Sequence, residues 1–368
     1  MWNIWKEELC KIMSRKIIWL GVFLLLAFVS FRLSAERNDY TTAIDGRIYH
    51  GSEAIRKDQE LTAHYAGTLT EELVAKVCED FGFYYYDKET KYVHGNFCSR
   101  FVTETFTNYM QTEGNDPDAV SLYTGGDWEL YAAPYFRQPV KFDYIYGWDD
   151  FAEMYVTALL ALFVILTVGI SPLFSEEYQL RTADLLRTTR RGKQSVVWLK
   201  FLAAICFAAA LTCAVSVYLW GIYAAVYGTQ GLDASALLLN FSSFYGYCPE
   251  TIMGFLLFTA FLGLCGSILL TGLTAGISSL CRSPFPTLIL SLAVFLFPVV
   301  WMSILGPMGI FGASITKAVT HFMTSMPFYL PQSIGFAFST KQLGMHLCIA
   351  SAAGTGSILA GYHKFRNM

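Results

Sequence analysis

Long unbroken apolar runs dominate the chain, and one extended polar stretch interrupts the series after the first of them. The runs at 17–33, 153–173, 197–227, 251–281, 284–305 and 342–362 are each long and apolar enough to cross a bilayer, so the pattern predicts six transmembrane helices. Ahead of the first run the period changes. In WNIWKEELCKIMSRK, Trp2, Trp5, Leu9 and Ile12 share one helical face while Lys6, Glu7, Lys11 and Arg15 lie elsewhere, which predicts an amphipathic interfacial helix over residues 1–16. The run that follows is long for the core of a signal peptide, and Ser34-Ala35-Glu36 is a poor cleavage site, so it is expected to stay in the membrane.

Residues 34–152 are a different material, rich in tyrosine and carrying about two acidic side chains for every basic one, with no run able to span a bilayer. They predict a water-soluble α+β domain between the first two spans. Thr68 and Glu71 read as a capping box opening a helix through Phe81, Cys98–Met110 as a second helix, and Phe83–Tyr86 with Tyr92-Val93 as two short strands. Ala133–Phe136 and then Pro139–Asp150 read as an extended return to the membrane. Cys78 and Cys98 are candidates for a disulfide on an oxidising face. Asp116, Asp118, Asp127, Glu129, Asp149 and Asp150 make one surface acidic, either a solvated face or an attraction for cations.

Downstream, residues 228–250 contain neither Lys nor Arg, which marks an outer loop. The fourth run is studded with Gly254, Gly263, Gly266, Gly272 and Gly276, small residues that let helices approach closely. Arg282, Pro284 and Pro286 form a tight inner turn, and Pro298 predicts a kink in the fifth span. In 306–341, the prolines at 307, 327 and 331 together with Lys317 and His321 argue against a straight crossing and predict an outer re-entrant hairpin.

Composition agrees with an integral membrane protein: 54 % of residues are hydrophobic and only 15 % charged. Where the charge lies says more than its sum. Short segments assigned to the inside hold thirteen basic residues against five acidic, while the short outer loops hold only Lys317 and Lys341, so both termini are expected in the cytoplasm. From Tyr155 to Ile170, and throughout 201–227, 251–280 and 285–305, there is no Asp, Glu, Lys, Arg or His. That emptiness disfavours a proton-driven pump or an intramembrane hydrolase, which place ionisable groups at membrane depth. Only His346 and His321 come near. Nine cysteines show no CxxC and no zinc spacing, and Arg190-Arg191-Gly192-Lys193-Gln194 lacks the first glycine and the Ser/Thr of a phosphate-binding loop. No metal or cofactor site is expected, and any energy for uphill transport has to enter from another subunit.

One stretch gathers most of the remaining signal. Between the second and third runs, residues 174–196 carry Glu176 and Glu177, the pair Leu185-Leu186, then Arg190 and Arg191, with Lys200 entering the third run. In layout and in this loop the chain resembles the membrane subunit of an ABC-2 type exporter. The family's Gly-Thr is replaced here by Arg181-Thr182 and its proline by Thr188-Thr189. The resemblance implies a coupling helix, carried by Glu176, Glu177, Leu185, Leu186, Arg190 and Arg191, that docks on a separate cytoplasmic ABC ATPase. It implies that ATP and magnesium are bound by that partner, that the permease pairs with itself or a related permease, and that a peptide, lipid-like or drug-like substrate leaves across the plasma membrane of a bacterial cell. The other reading is a membrane-anchored sensor or structural subunit whose outer domain binds a ligand.

Overall fold

A computed structural model describes residues 2–87, 92–111, 119–182, 195–240, 249–333 and 339–367. It is mostly helical, with six helices long and apolar enough to cross a membrane. The amphipathic helix α1 (Trp2–Met13) precedes α2 (Lys16–Asp39), in which the first apolar run continues beyond residue 33 into a polar extension. The second span is α6 (Tyr146–Ile170), continued after a bend by α7 (Pro172–Gln179). The third and fourth are α8 (Val197–Tyr227) and α9 (Ile252–Leu280). The fifth is α10 (Pro284–Val300); Pro298 lies inside it, and a wider π turn, Trp301–Leu305, follows directly. After α11 (Ala313–Thr324), the last span is α12 (Thr340–Asn367).

The second span sits at the centre of the bundle, packed on the first, third, fourth and fifth. The first, fifth and sixth spans are the least buried of the six and turn Phe23, Phe28, Ile289 and Phe297 outward. Glycine decides how close the fourth and sixth spans come: a Cβ on Gly276 would lie 2.1 Å from Ser357 Oγ and 2.8 Å from Ser357 O. Ser357 completes the contact by donating to Gly272 O at 3.3 Å.

Between α2 and α6 the chain builds a small helical unit with three two-stranded ladders. Strands β1 (Thr41–Ile44) and β2 (Arg47–His50) form a hairpin closed by Asp45 and Gly46, both at positive φ (51° and 72°), the geometry an Asp-Gly turn supplies. Helix α3 (Gly51–Thr62) packs on it. After β3 (Gly67–Thr68), α4 (Glu71–Phe81) is capped by Thr70, whose hydroxyl accepts from Leu73 N–H; Thr68 lies in β3, so the cap expected there falls two residues later. Strands β4 (Tyr85–Asp87) and β5 (Tyr92–His94) pair antiparallel. Helix α5 (Phe97–Phe106) starts one residue before the expected position under an Asn96–Ser99 capping box, and ends earlier than Met110. Finally β6 (Lys141–Phe142) returns to pair with β3.

Asp58 ties this unit together. Its carboxylate accepts from Tyr40 Oη (2.6 Å), Thr42 Oγ1 (2.8 Å) and Phe97 N–H (3.2 Å), joining the end of α2, the hairpin and the start of α5. Burial pushes its pKa up, against the pull of these donors. Cys78 and Cys98 are both free thiols; Cys98 is fully buried beside Thr62, and burial pushes its pKa up to about 12. The unit is bolted to the bundle by the segment after α8: Trp148 Nε1 donates to Gln230 O (2.9 Å), and Gln230 Nε2 donates to Asp143 (2.9 Å). Gly231, at φ +82°, passes so near Tyr144 O that a Cβ there would lie 1.9 Å away.

Candidate functional site

At the end of the bundle that carries the termini, the bend between α6 and α7 aims two carboxylates at the N-terminal helix. Pro172 has no N–H to offer the carbonyl of Val168, and Ser171 Oγ donates to that carbonyl instead, at 3.1 Å. The first turn of α7 is then held from the fourth span. Ser278 Oγ accepts from the N–H groups of Phe174 (3.0 Å) and Ser175 (3.1 Å), which a helix start leaves unpaired, and donates to Ser171 O (2.7 Å). One turn later Glu176 and Glu177 emerge toward α1 and the start of α8.

There they meet Lys200. It is 1 % exposed, and its Nζ donates to Glu177 Oε1 at 2.6 Å and to Glu8 Oε2 at 2.7 Å. Lys11 holds the other oxygen of Glu8 at 2.7 Å. Arg15 donates to Glu176 at 3.0 Å and, with its second amino group, to the carbonyl of Gly169. Three cations and three carboxylates thus balance at the junction of α1, α2, α7 and α8. Burial pushes the Glu8 carboxyl up, but Lys200 and Lys11 together more than reverse it, holding Glu8 below the ordinary carboxylate range. The Lys200 ammonium also lies 5.8 Å from the Phe174 ring centre. A buried ion pair adds little net stability when intact, yet removing one partner costs about 3–5 kcal/mol because the other charge stays buried. The chemistry is mechanical: three segments distant in sequence are locked so that they move together. Beside the lock opens a cleft of about 340 Å³, lined by Glu8, Lys11, Arg15, Glu176, Glu177 and Leu180 among others.

Of the residues expected from the sequence to matter here, Glu176 and Glu177 stand in this junction. Ile12 is fully buried, Leu9 and Trp5 are half-buried, and Trp2 is 71 % exposed with its ring stacked on Trp5 at 4.9 Å. Leu185, Leu186, Arg190 and Arg191 lie outside the described residues. Glu8 is the residue that reading by face overlooks. It sits one turn from both Ile4 and Ile12 on the buried stripe of α1, and a carboxylate on such a stripe demands a partner. The two histidines singled out earlier also meet: His346 Nε2 lies 3.2 Å from Thr324 Oγ1 and 3.5 Å from His321 Nδ1.

The family model described as ABC-2 family transporter protein matches residues 2–345. The chain belongs to that family. The match takes in α1, five of the six spans and the start of the sixth, so the chain is a membrane transport subunit, of a family whose permeases work with a separate ABC ATPase. Searches of curated proteins and of solved structures each return no match.

Proposed function

We propose that this permease is the membrane subunit of an ATP-driven exporter for a peptide, lipid-like or drug-like substrate, and that the junction around Lys200 carries force from the ATPase into the spans. The observation behind this reading is that Lys200, on α8, binds α1 and α7 through Glu8 and Glu177 at the two ends of the 183–194 segment. A push on that segment would load the second and third spans and α1 as one body. Positive charge concentrated at this end supports a cytoplasmic position for it, with the α2–α6 unit on the outer side of what we take to be a plasma membrane. Six spans make half of a twelve-helix pathway, so two permeases pair, each with its own ATPase binding ATP and magnesium.

The test uses Leu185→Asp combined with Leu186→Asp. Charges at the two leucines are expected to abolish co-purification of the ATPase while leaving the thermal stability of the permease unchanged. Normal co-purification of that variant would sink the docking role of this segment.

A further inference from the structure

A second cavity, of about 670 Å³, opens where the α2–α6 unit meets the bundle, and nothing in ATP coupling calls for it. Four separate stretches wall it: α5, the irregular helical arm 125–136, the first two turns of α6, and residues 237–240. Its size suits a drug-sized molecule or a short peptide.

The two ends of the cavity differ. At the arm, Leu130 and Tyr131 are 54 % and 45 % exposed, and the Tyr131 ring lies 5.2 Å from that of Tyr123. Toward the spans stand Glu104, Asp149, Asp150 and Glu153. Two of these have a cation at close range: Glu104 pairs with Arg100 at 2.9 Å, and Asp150 shares Arg32, at 2.9 Å, with Glu36 at 2.8 Å. Arg100, the one cation among the described residues that line the cavity, is further engaged by the Tyr84 and Tyr146 rings at 5.6 and 5.4 Å. Asp149 takes only the neutral donors of Asn240, its N–H at 2.9 Å and Nδ2 at 2.6 Å, and Glu153 makes no ion pair among the described residues. Among the described residues, Asp149 and Glu153 therefore have no cation paired with them at one end, with aromatic and aliphatic surface at the other.

We propose that this cavity binds a cationic amphiphile, its ammonium or guanidinium head at Asp149 and Glu153 and its apolar body against Leu130 and Tyr131. Tyrosine faces favour a cation as well as an apolar body, and an anion would meet net negative charge. The inference does not rest on the ATPase: it concerns binding to the permease by itself, whether the occupant is cargo or signal.

Rhodamine 6G, a fluorescent aromatic cation, serves as the probe, and fluorescein, an anion on a similar ring system, as its counterpart. Anisotropy titrations are run on the full-length permease in nanodiscs of uncharged phosphatidylcholine, with empty nanodiscs subtracted. Saturable rhodamine binding is expected, about tenfold or more tighter than fluorescein and weakened as salt is raised to about 0.5 M. Asp149→Asn with Glu153→Gln is expected to weaken it about tenfold; the first keeps an acceptor for Asn240 and the second is exposed, so the fold is preserved. Leu130→Ser with Tyr131→Ser, also at exposed positions, is expected to weaken it comparably. Binding that is absent, equal for the two dyes, or unaltered in both variants overturns the proposal. Co-purification of the ATPase with the same preparations reads the coupling reading separately.

Discussion

Lys200 and Glu8 show how much one buried pair decides. In Lys200→Met the side chain keeps its bulk, but Glu8 and Glu177 are left facing each other without their shared cation. The variant is expected to lose about 3–5 kcal/mol, read as a fall in thermal midpoint in detergent. Adding Glu8→Gln and Glu177→Gln to it should restore most of that loss, because no charge then stays buried. Acid acts on the same pair. Glu8 is held below its ordinary value of 4.5, so its contribution is complete above that pH and drains away as pH falls through the lowered value. Trp2 and Trp5 fluorescence should therefore report release of α1 on acidification below the ordinary carboxylate value of 4.5, a transition absent from Glu8→Gln. A Glu8→Gln variant with the unchanged acid transition would contradict this assignment. The sequence makes Lys200 visible as the cation entering the third span. It hides Glu8, because a face drawn through Trp2, Trp5, Leu9 and Ile12 classes a neighbouring carboxylate as solvent-facing until its partner, 192 residues away, is known.

Among the elements, helix against helix contact is where small changes should tell. Gly276→Ala places a methyl into Ser357 and forces the fourth and sixth spans apart, an overpacking cost of about 1–3 kcal/mol. Gly356→Ala, on the sixth span with nothing within 4 Å of its added methyl, should leave the thermal midpoint unchanged or raise it slightly. Equal midpoints for the two would mean that this pair of spans does not pack as described. In the α2–α6 unit, Asp58→Ala removes an acceptor from three segments at once. Hydrogen exchange in β1 and the first turn of α5 should accelerate about a hundredfold while α1 is unaffected, since hydrogen bonds to a charged group are worth about 1.5–3 kcal/mol each. The stripe of glycines in the fourth span and the helices α4 and α5 are legible from spacing, but their caps are not: Thr70 and Asn96 hold those positions. The β1–β2 hairpin was not recognised, since its short strands lie mostly half-exposed and lack a clean alternation. The β3–β6 ladder has no local signal at all: it joins Gly67-Thr68 to Lys141-Phe142 across the whole unit.

At the scale of the molecule, the order of apolar runs carried the most information, because a lipid-spanning helix must satisfy its backbone internally and so must be long and continuous. Six such helices stand among the described residues, and the second is the hub, tied at one end to the junction of α1 and α8 and at the other to the α2–α6 unit. A helix so placed is suited to link events at the two ends of the bundle. What the sequence did not reveal is that this helix has a cleft at each end, the one beside the ion pairs lined by three separate stretches of the chain and the other by four. The central claim is that the junction serves an ATPase. It is tested most directly by purifying the tagged permease from its native membrane in mild detergent, identifying by mass spectrometry what accompanies it, and assaying ATP hydrolysis. An ABC ATPase in stoichiometric amount, with hydrolysis that disappears when Leu185 and Leu186 are both changed to Asp, is the expected result. A stable, folded permease that brings no ATPase and hydrolyses nothing would contradict the claim and leave the ligand-sensing reading in its place.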